Sequence, residues 1–268
     1  MRINHTLKKL QEGHPVFGCA IQQYRSAEIP RAFAAAGFDY VFIDAEHGGF
    51  GLETIQNMID SAVHSGITPI VRVADLQYSL IARSLDLGAQ GIIFPRVESP
   101  ELLAQAISWT RFPPLGKRGF GVMAPQLDYE ASSVEKVIEH LNSNTMVVAQ
   151  FETRLSIEGM DDLLSVKGLD VAMIGPTDLS ISLGVGGEFD HPRLVEAITK
   201  FIDACQRHQV APGIHCRTVD QAGKWLQRGM RLVGAGGEHG LLLQKACEAV
   251  AELRSASSIS PPRSRTVT

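Results

Sequence analysis

Eight short runs of apolar, largely β-branched residues punctuate this chain, and they constrain its fold more than any other feature. They are Val16–Ile21, Tyr40–Ile43, Pro69–Val73, Gly91–Phe94, Met146–Phe151, Val171–Ile174, Ala211–His215 and Leu232–Val233. Each is short and almost continuously hydrophobic, as a parallel strand buried on both faces should be. Amphipathic helical patterns lie between them: Ser26–Ala36, Leu52–Ser65, Ser79–Leu87, Pro192–His208 with Asp190 as its cap, and Thr218–Arg228. Most stop at a glycine (Gly37, Gly66, Gly88 or Gly229), and a strand follows at once. Eight strands alternating with helices over about 250 residues predict an α/β protein of the (β/α)8 barrel type. A doubly wound sheet is the alternative, but no Gly-rich dinucleotide fingerprint follows the first run.

Composition agrees with a large packed core. The chain has 268 residues, 44% of them apolar, and a net charge of −4. That excludes collagen-like, disulfide-dense and wholly disordered classes. Mild acidity argues against a nucleic-acid partner, which favours a basic face. No apolar run reaches the roughly 18 residues that span a bilayer. The N-terminal MRINHTLKKLQEG is polar and lacks a secretion signal's apolar stretch, so the expectation is a cytoplasmic protein. Cys19, Cys205, Cys216 and Cys247 form no CxxC pair and read as buried free thiols. Residues 1–254 read as one catalytic barrel domain and 255–268 (SASSISPPRSRTVT) as a disordered tail. The long connection between the fourth and fifth runs carries Arg111–Gly121 (RFPPLGKRGFG), which reads as a lid or binding loop.

A barrel places its active site at the C-terminal ends of its strands. The residues there are Asp44-Ala45-Glu46-His47, Arg72, Arg96, Gln150 with Glu152, Gly175-Pro176-Thr177-Asp178, His215, and Glu238 with His239. Glu152 and Asp178 come from adjacent strands. Such oxygen donors suit a hard divalent ion, Mg2+ or Mn2+, with water and a chelating substrate filling its other positions. Capping or salt-bridged carboxylates are the alternative. Asp44 and His47 have the spacing of an acid/base dyad, or of a helix cap beside a surface imidazole. Arg72, alone in an apolar run, binds either a substrate anion or a structural carboxylate. The turn Gly175–Asp178 offers backbone N–H groups to a carboxylate. Gly234–Gly237 reads as a close-packed turn, because Glu238 beside it would repel phosphate. None of the eight lysines falls at a strand end, and only Lys117 in the long connection could reach the mouth. Carbonyl chemistry here calls for a metal in place of a Schiff base.

Six motifs then occur in a familiar order: DAEH at 44–47, LDLGAQG at 85–91, PRVES at 95–99, GKRG at 116–119, QFET at 150–153 and IGPTDLS at 174–180. Over roughly residues 5–250 the sequence resembles the class II pyruvate aldolases typified by 4-hydroxy-2-oxoheptanedioate and 2-dehydro-3-deoxyglucarate aldolases. The resemblance implies a phosphoenolpyruvate/pyruvate-type TIM barrel. It also implies a homohexamer, a trimer of dimers, in which the last helix is often exchanged. A divalent ion (Mg2+ or Mn2+, with Co2+ also in range) would be held by Glu152 and Asp178. His47, supported by Asp44, would be the acid/base, and Arg72 would stabilise the substrate oxygens. Gln150, Gly175, Pro176, Thr177 and Asp178 would hold the pyruvyl end, with Ile214 and Arg96 among the substrate-facing positions. Asp86 would lie near a neighbouring subunit's site. Arg96 stands where the family often has Met, which makes it a candidate for a distal carboxylate. His215 and Cys216 replace smaller or apolar residues.

The implied reaction is cleavage of a 4-hydroxy-2-oxo acid to pyruvate and an aldehyde through a metal-bound enolate. Three other readings stay open: a CoA-thioester lyase, an oxaloacetate decarboxylase, and a silent barrel that only binds a 2-oxo acid.

Overall fold

The structure is a computed structural model that describes residues 1–257. Eight parallel strands close into a barrel in sequence order. They are β1 (Val16–Ile21), β2 (Tyr40–Asp44), β3 (Thr68–Arg72), β4 (Gly91–Phe94), β5 (Met146–Phe151), β6 (Val171–Ile174), β7 (Ala211–Cys216) and β8 (Leu232–Gly237). The helices are α1 (His5–Gln11), α2 (Glu28–Ala35), α3 (Leu52–His64), α4 (Tyr78–Asp86), α5 (Pro100–Ser108), α6 (Val134–Asn144), α7 (Arg154–Glu158), α8 (Met160–Leu164), α9 (Pro176–Ser182), α10 (Pro192–His208), α11 (Val219–Gln227) and α12 (Glu238–Ser257). No helix among the described residues is long and apolar enough to cross a membrane.

Side chains along each strand alternate between two apolar layers. Val16, Ala20, Phe42, Ile70, Ile93, Val148, Val171 and Met173 fill the inner cluster, and Leu7 of α1 packs against it at the base. Val41, Ile43, Val71, Ile92, Val147, Phe151, Ile174 and Ile214 form the outer cluster beneath the helices. This alternation positions the site. Two residues beyond the inner Phe42, Ile70 and Val148 come Asp44, Arg72 and Gln150, all buried.

The inner packing depends on missing side chains. A Cβ at Gly18 would stand 2.3 Å from the Tyr40 ring, and one at Gly234 would stand 2.1 Å from His215 Nδ1. His215 and Gly234 are paired across β7 and β8, so the imidazole lies over the bare backbone of its neighbour.

Several expectations need correction. Gly234–Gly237 is not a turn but the end of β8. Helix α10 is capped by His191, whose Nδ1 accepts from the Arg193 N–H, and not by Asp190. The loop after α5, expected as a lid or binding loop, is anchored along the outside of α4. Its hydrogen bonds run to α4 and the neighbouring helix ends, from Arg118 to Asp86 (2.7 Å), from the Gly119 N–H to Tyr78 (2.9 Å) and from the Phe112 N–H to Asn142 (2.7 Å). Arg118 also stacks on Phe112, and the pair is buried. Three cysteines are buried, but Cys247 on α12 is exposed. Helix α12 carries the chain past Arg254 to Ser257, and the remainder of the expected tail, 258–268, lies outside the described residues.

Gly18→Ala should cost about 1–3 kcal/mol, because the buried Tyr40 ring must leave its position. Urea denaturation should show a lower midpoint, and an unchanged midpoint would remove the claim of close packing.

Candidate active site

The polar residues at the strand ends converge on Arg72, the last residue of β3. Its guanidinium is 8% exposed and faces two carboxylates. Nη2 and Nε donate to Asp44 at 2.6 and 3.0 Å, and Nε lies 3.1 Å from Glu46 Oε2. Phe42 supplies a ring face 4.9 Å from the guanidinium carbon. Burial opposes ionisation of Asp44, but Arg72 and the amide of Gln22 outweigh it and hold its carboxyl below the ordinary range. Glu46 fares differently: burial raises its pKa despite Arg72 and His47, and its buried Oε2 accepts no hydrogen bond.

From Arg72 the network crosses to β5. Nη1 donates to Gln150 Oε1 at 3.4 Å, and Gln150 Nε2 donates to Glu152 Oε2 at 2.5 Å. The other oxygen of Glu152 accepts the Arg96 N–H at 2.9 Å. Arg96 therefore meets this centre through its main chain, in a left-handed conformation (φ 49°), while its side chain is exposed. Burial first, then the charges of Glu46 and Asp178, push Glu152 up from 4.5 to about 7. Gly175 allows the carboxylate its place, since a Cβ there would stand 2.7 Å from Glu152 Oε2. Gly175 and Pro176 are buried, while Asp178 is exposed on the first turn of α9 with Thr177 beside it.

Two site expectations are corrected. Asp44 does not hold the His47 ring. It accepts the His47 backbone N–H (3.2 Å), and its outer oxygens are taken by Arg72, the nearest full charge. The His47 imidazole is mostly exposed and comes nearest to Glu46, at 3.8 Å. Ile214 does not face the mouth, because alternation along β7 sends it to the outer layer and turns its neighbour His215 inward. Asp86, expected near a neighbouring subunit's site, ends α4 and pairs with Arg118 within its own chain. Residues without an assigned role also enter the site. Glu46 does so, as do Gln22, which follows β1, and His215, whose Nε2 donates to the Gly236 carbonyl (2.9 Å) and which burial pushes down to about 4. All three stand at strand ends, so the strand-end rule could have assigned them.

The donor set fits a hard divalent cation. Glu152 and Asp178 are oxygen donors, and a buried carboxylate with its pKa raised by its neighbours is relieved by positive charge. Among the described residues, no three His, Cys, Asp or Glu side chains converge on one metal position. Two protein carboxylates completed by water and a chelating ligand suit what is present.

Comparison with known proteins now defines the class. The model of the HpcH/HpaI aldolase/citrate lyase family matches residues 23–244, and the chain belongs to that family. A hydroxypyruvate/pyruvate aldolase of Roseobacter denitrificans is 32% identical over 243 residues, which cover 90% of this chain and 93% of that protein. A 4-hydroxy-2-oxo-heptane-1,7-dioate aldolase of Escherichia coli is 30% identical, covering 90% and 91%. The crystal structure of an HpcH/HpaI aldolase from Desulfitobacterium hafniense superposes with a TM-score of 0.87 at 28% identity, over 92% of this chain and 95% of that one. The resemblance read from the six motifs is borne out, and the protein is a carbon–carbon lyase of the aldolase type.

The Glu152 environment carries a stability signature. Between pH 4.5 and 7 the unfolded chain ionises Glu152 while the folded chain keeps its proton, so metal-free protein loses stability as pH rises, by up to about 3 kcal/mol. Glu152→Gln should therefore gain stability over wild type from pH 5 to pH 8 without metal. Added Mg2+ or Mn2+ should stabilise wild type most at pH 8 and leave the variant unmoved. Thermal melts across this range check both, and a pH-independent difference would contradict them.

Proposed function

We propose that this protein is a divalent-metal-dependent pyruvate aldolase, cleaving 4-hydroxy-2-oxo acids to pyruvate and an aldehyde and running the reverse addition. The observation that carries the reading is the buried line Arg72–Gln150–Glu152, a fixed cation joined by one amide to a carboxylate that calls for positive charge.

Glu152 and Asp178 would hold the ion, Mg2+ or Mn2+, with Co2+ also in range. When bound, it supplies Lewis-acid polarisation of a 2-oxo group. The chain's own residues do the rest. Arg72 is held between Asp44 and Glu46 and presents its guanidinium to the substrate oxygens, where it stabilises the enolate charge left after the C3–C4 bond breaks. Gln150 fixes the orientation of Glu152 and, with the Gly175–Asp178 turn, borders the pyruvyl end. His47, at the exposed edge next to Glu46, takes the 4-hydroxyl proton as the aldehyde departs. The Arg96 side chain, exposed on the same rim, is placed to meet a distal carboxylate. The assembly we infer is a homohexamer, a trimer of dimers. Leu242, Leu243 and Leu253, exposed along α12, support a partner surface.

The test is pyruvate release from a panel of 4-hydroxy-2-oxo acids with Mg2+ or Mn2+ and again with EDTA. Release should stop with EDTA and return with metal. EDTA-insensitive release, or release only from oxaloacetate or acyl-CoA substrates, would overturn the reading. His47→Ala should lower cleavage about 100-fold or more, and wild-type turnover would remove it from the reaction. Arg96→Met should shift preference from acidic toward neutral aldehydes, and an unchanged ratio would exclude the distal-carboxylate role.

A further inference from the structure

Glu238 opens α12, yet its side chain is only 1% exposed. Its carboxylate accepts three consecutive backbone N–H groups just past β1. Gln22 N–H reaches both oxygens at 3.0 Å, Tyr24 N–H reaches Oε1 at 2.8 Å, and Gln23 N–H makes a short bond to the same oxygen. These amides lie beyond the end of β1, so no strand ladder satisfies them. A carboxylate bridging three such donors is a strong clamp, because each bond is charge-assisted.

The clamp has a definite output. With its backbone held, Gln22 extends Nε2 to Asp44 Oδ2 at 3.1 Å, the oxygen that receives Arg72 Nη2 at 2.6 Å. Asp44 Oδ1 takes Arg72 Nε and the N–H groups of Glu46 and His47. Gln22 is thus the one side-chain amide that fixes Asp44, and Asp44 fixes Arg72. The route from α12 to the guanidinium is two side chains long.

We propose that Glu238 is a positioning residue for the reaction, acting through Gln22 and Asp44 on the placement of Arg72. The proposal rests on the aldolase reading for its kinetic test. Displacing a charged group by a fraction of an ångström lowers the rate, since misplacement by 1 Å can cost about 100-fold.

The test is a double-mutant cycle on pyruvate release by the metal-loaded enzyme. Gln22→Ala, which leaves the backbone clamp in place, and Glu238→Gln should each lower kcat/KM roughly 10- to 100-fold. Because both act on one route, adding Glu238→Gln to Gln22→Ala should cost little more. Unchanged kcat/KM in Gln22→Ala, or losses that multiply in the double variant, would overturn the proposal. If Glu238→Gln fails to fold, Glu238→Asp, which keeps the charge on a side chain one methylene shorter, takes its place in the cycle and should show the same non-additive loss with Gln22→Ala. A second readout needs no turnover: the Arg72 Nε–H, followed by NMR, should exchange with solvent faster in Gln22→Ala than in wild type. Wild type that releases no pyruvate while this exchange still quickens would defeat the aldolase reading and keep the positioning route. Unchanged exchange would defeat the route.

Discussion

A buried guanidinium must have its charge answered inside the protein, and Arg72 organises this barrel mouth around that requirement. Two carboxylates face it, and removing one partner from such a pair costs about 3–5 kcal/mol because the remaining charge is stranded. Asp44 accordingly stays ionised under burial, and its oxygens are filled by Arg72, Gln22 and two backbone N–H groups. The cation is held from below and from one side, which leaves its remaining donor, Nη1, turned toward Gln150.

Gln150 divides the site electrically. A carboxamide has one accepting and one donating end, and here they meet Arg72 and Glu152 respectively. The amide can take only one orientation without facing donor to donor. On one side of it Arg72 is paired with Asp44 and Glu46, and on the other Glu152 is repelled by Glu46 and Asp178. On the proposed aldolase reading, a 2-oxo acid would bridge the two halves.

Much of this was legible in the sequence because a strand writes itself with a period of two. The apolar runs match the observed strands within a residue at most ends, and α10 falls on Pro192–His208 as its pattern requires. Asp44, Arg72, Gln150 and Glu152 emerge by the same rule, polar residues continuing an inward-facing parity. Where parity was not followed through, the reading slipped. Ile214 and His215 differ by one position and point to opposite layers. The partner of Asp44 was beyond local spacing, since Arg72 lies 28 residues away and reaches it only through strand register. Glycine misled in β8, where four residues that look like a turn continue a strand because a neighbouring imidazole fills the space they leave.

That last contact carries a consequence for how such a site can change. His215 stands where a side chain on residue 234 would have to be, so the two positions share one volume. Residue 234 cannot grow while the imidazole is in place, whereas 215 can shrink beside the existing glycine. A larger residue at 234 is admissible only after 215 has shrunk or turned away, and a bulky 215 commits 234 to glycine. Change on this side of the barrel therefore has a fixed order, 215 before 234.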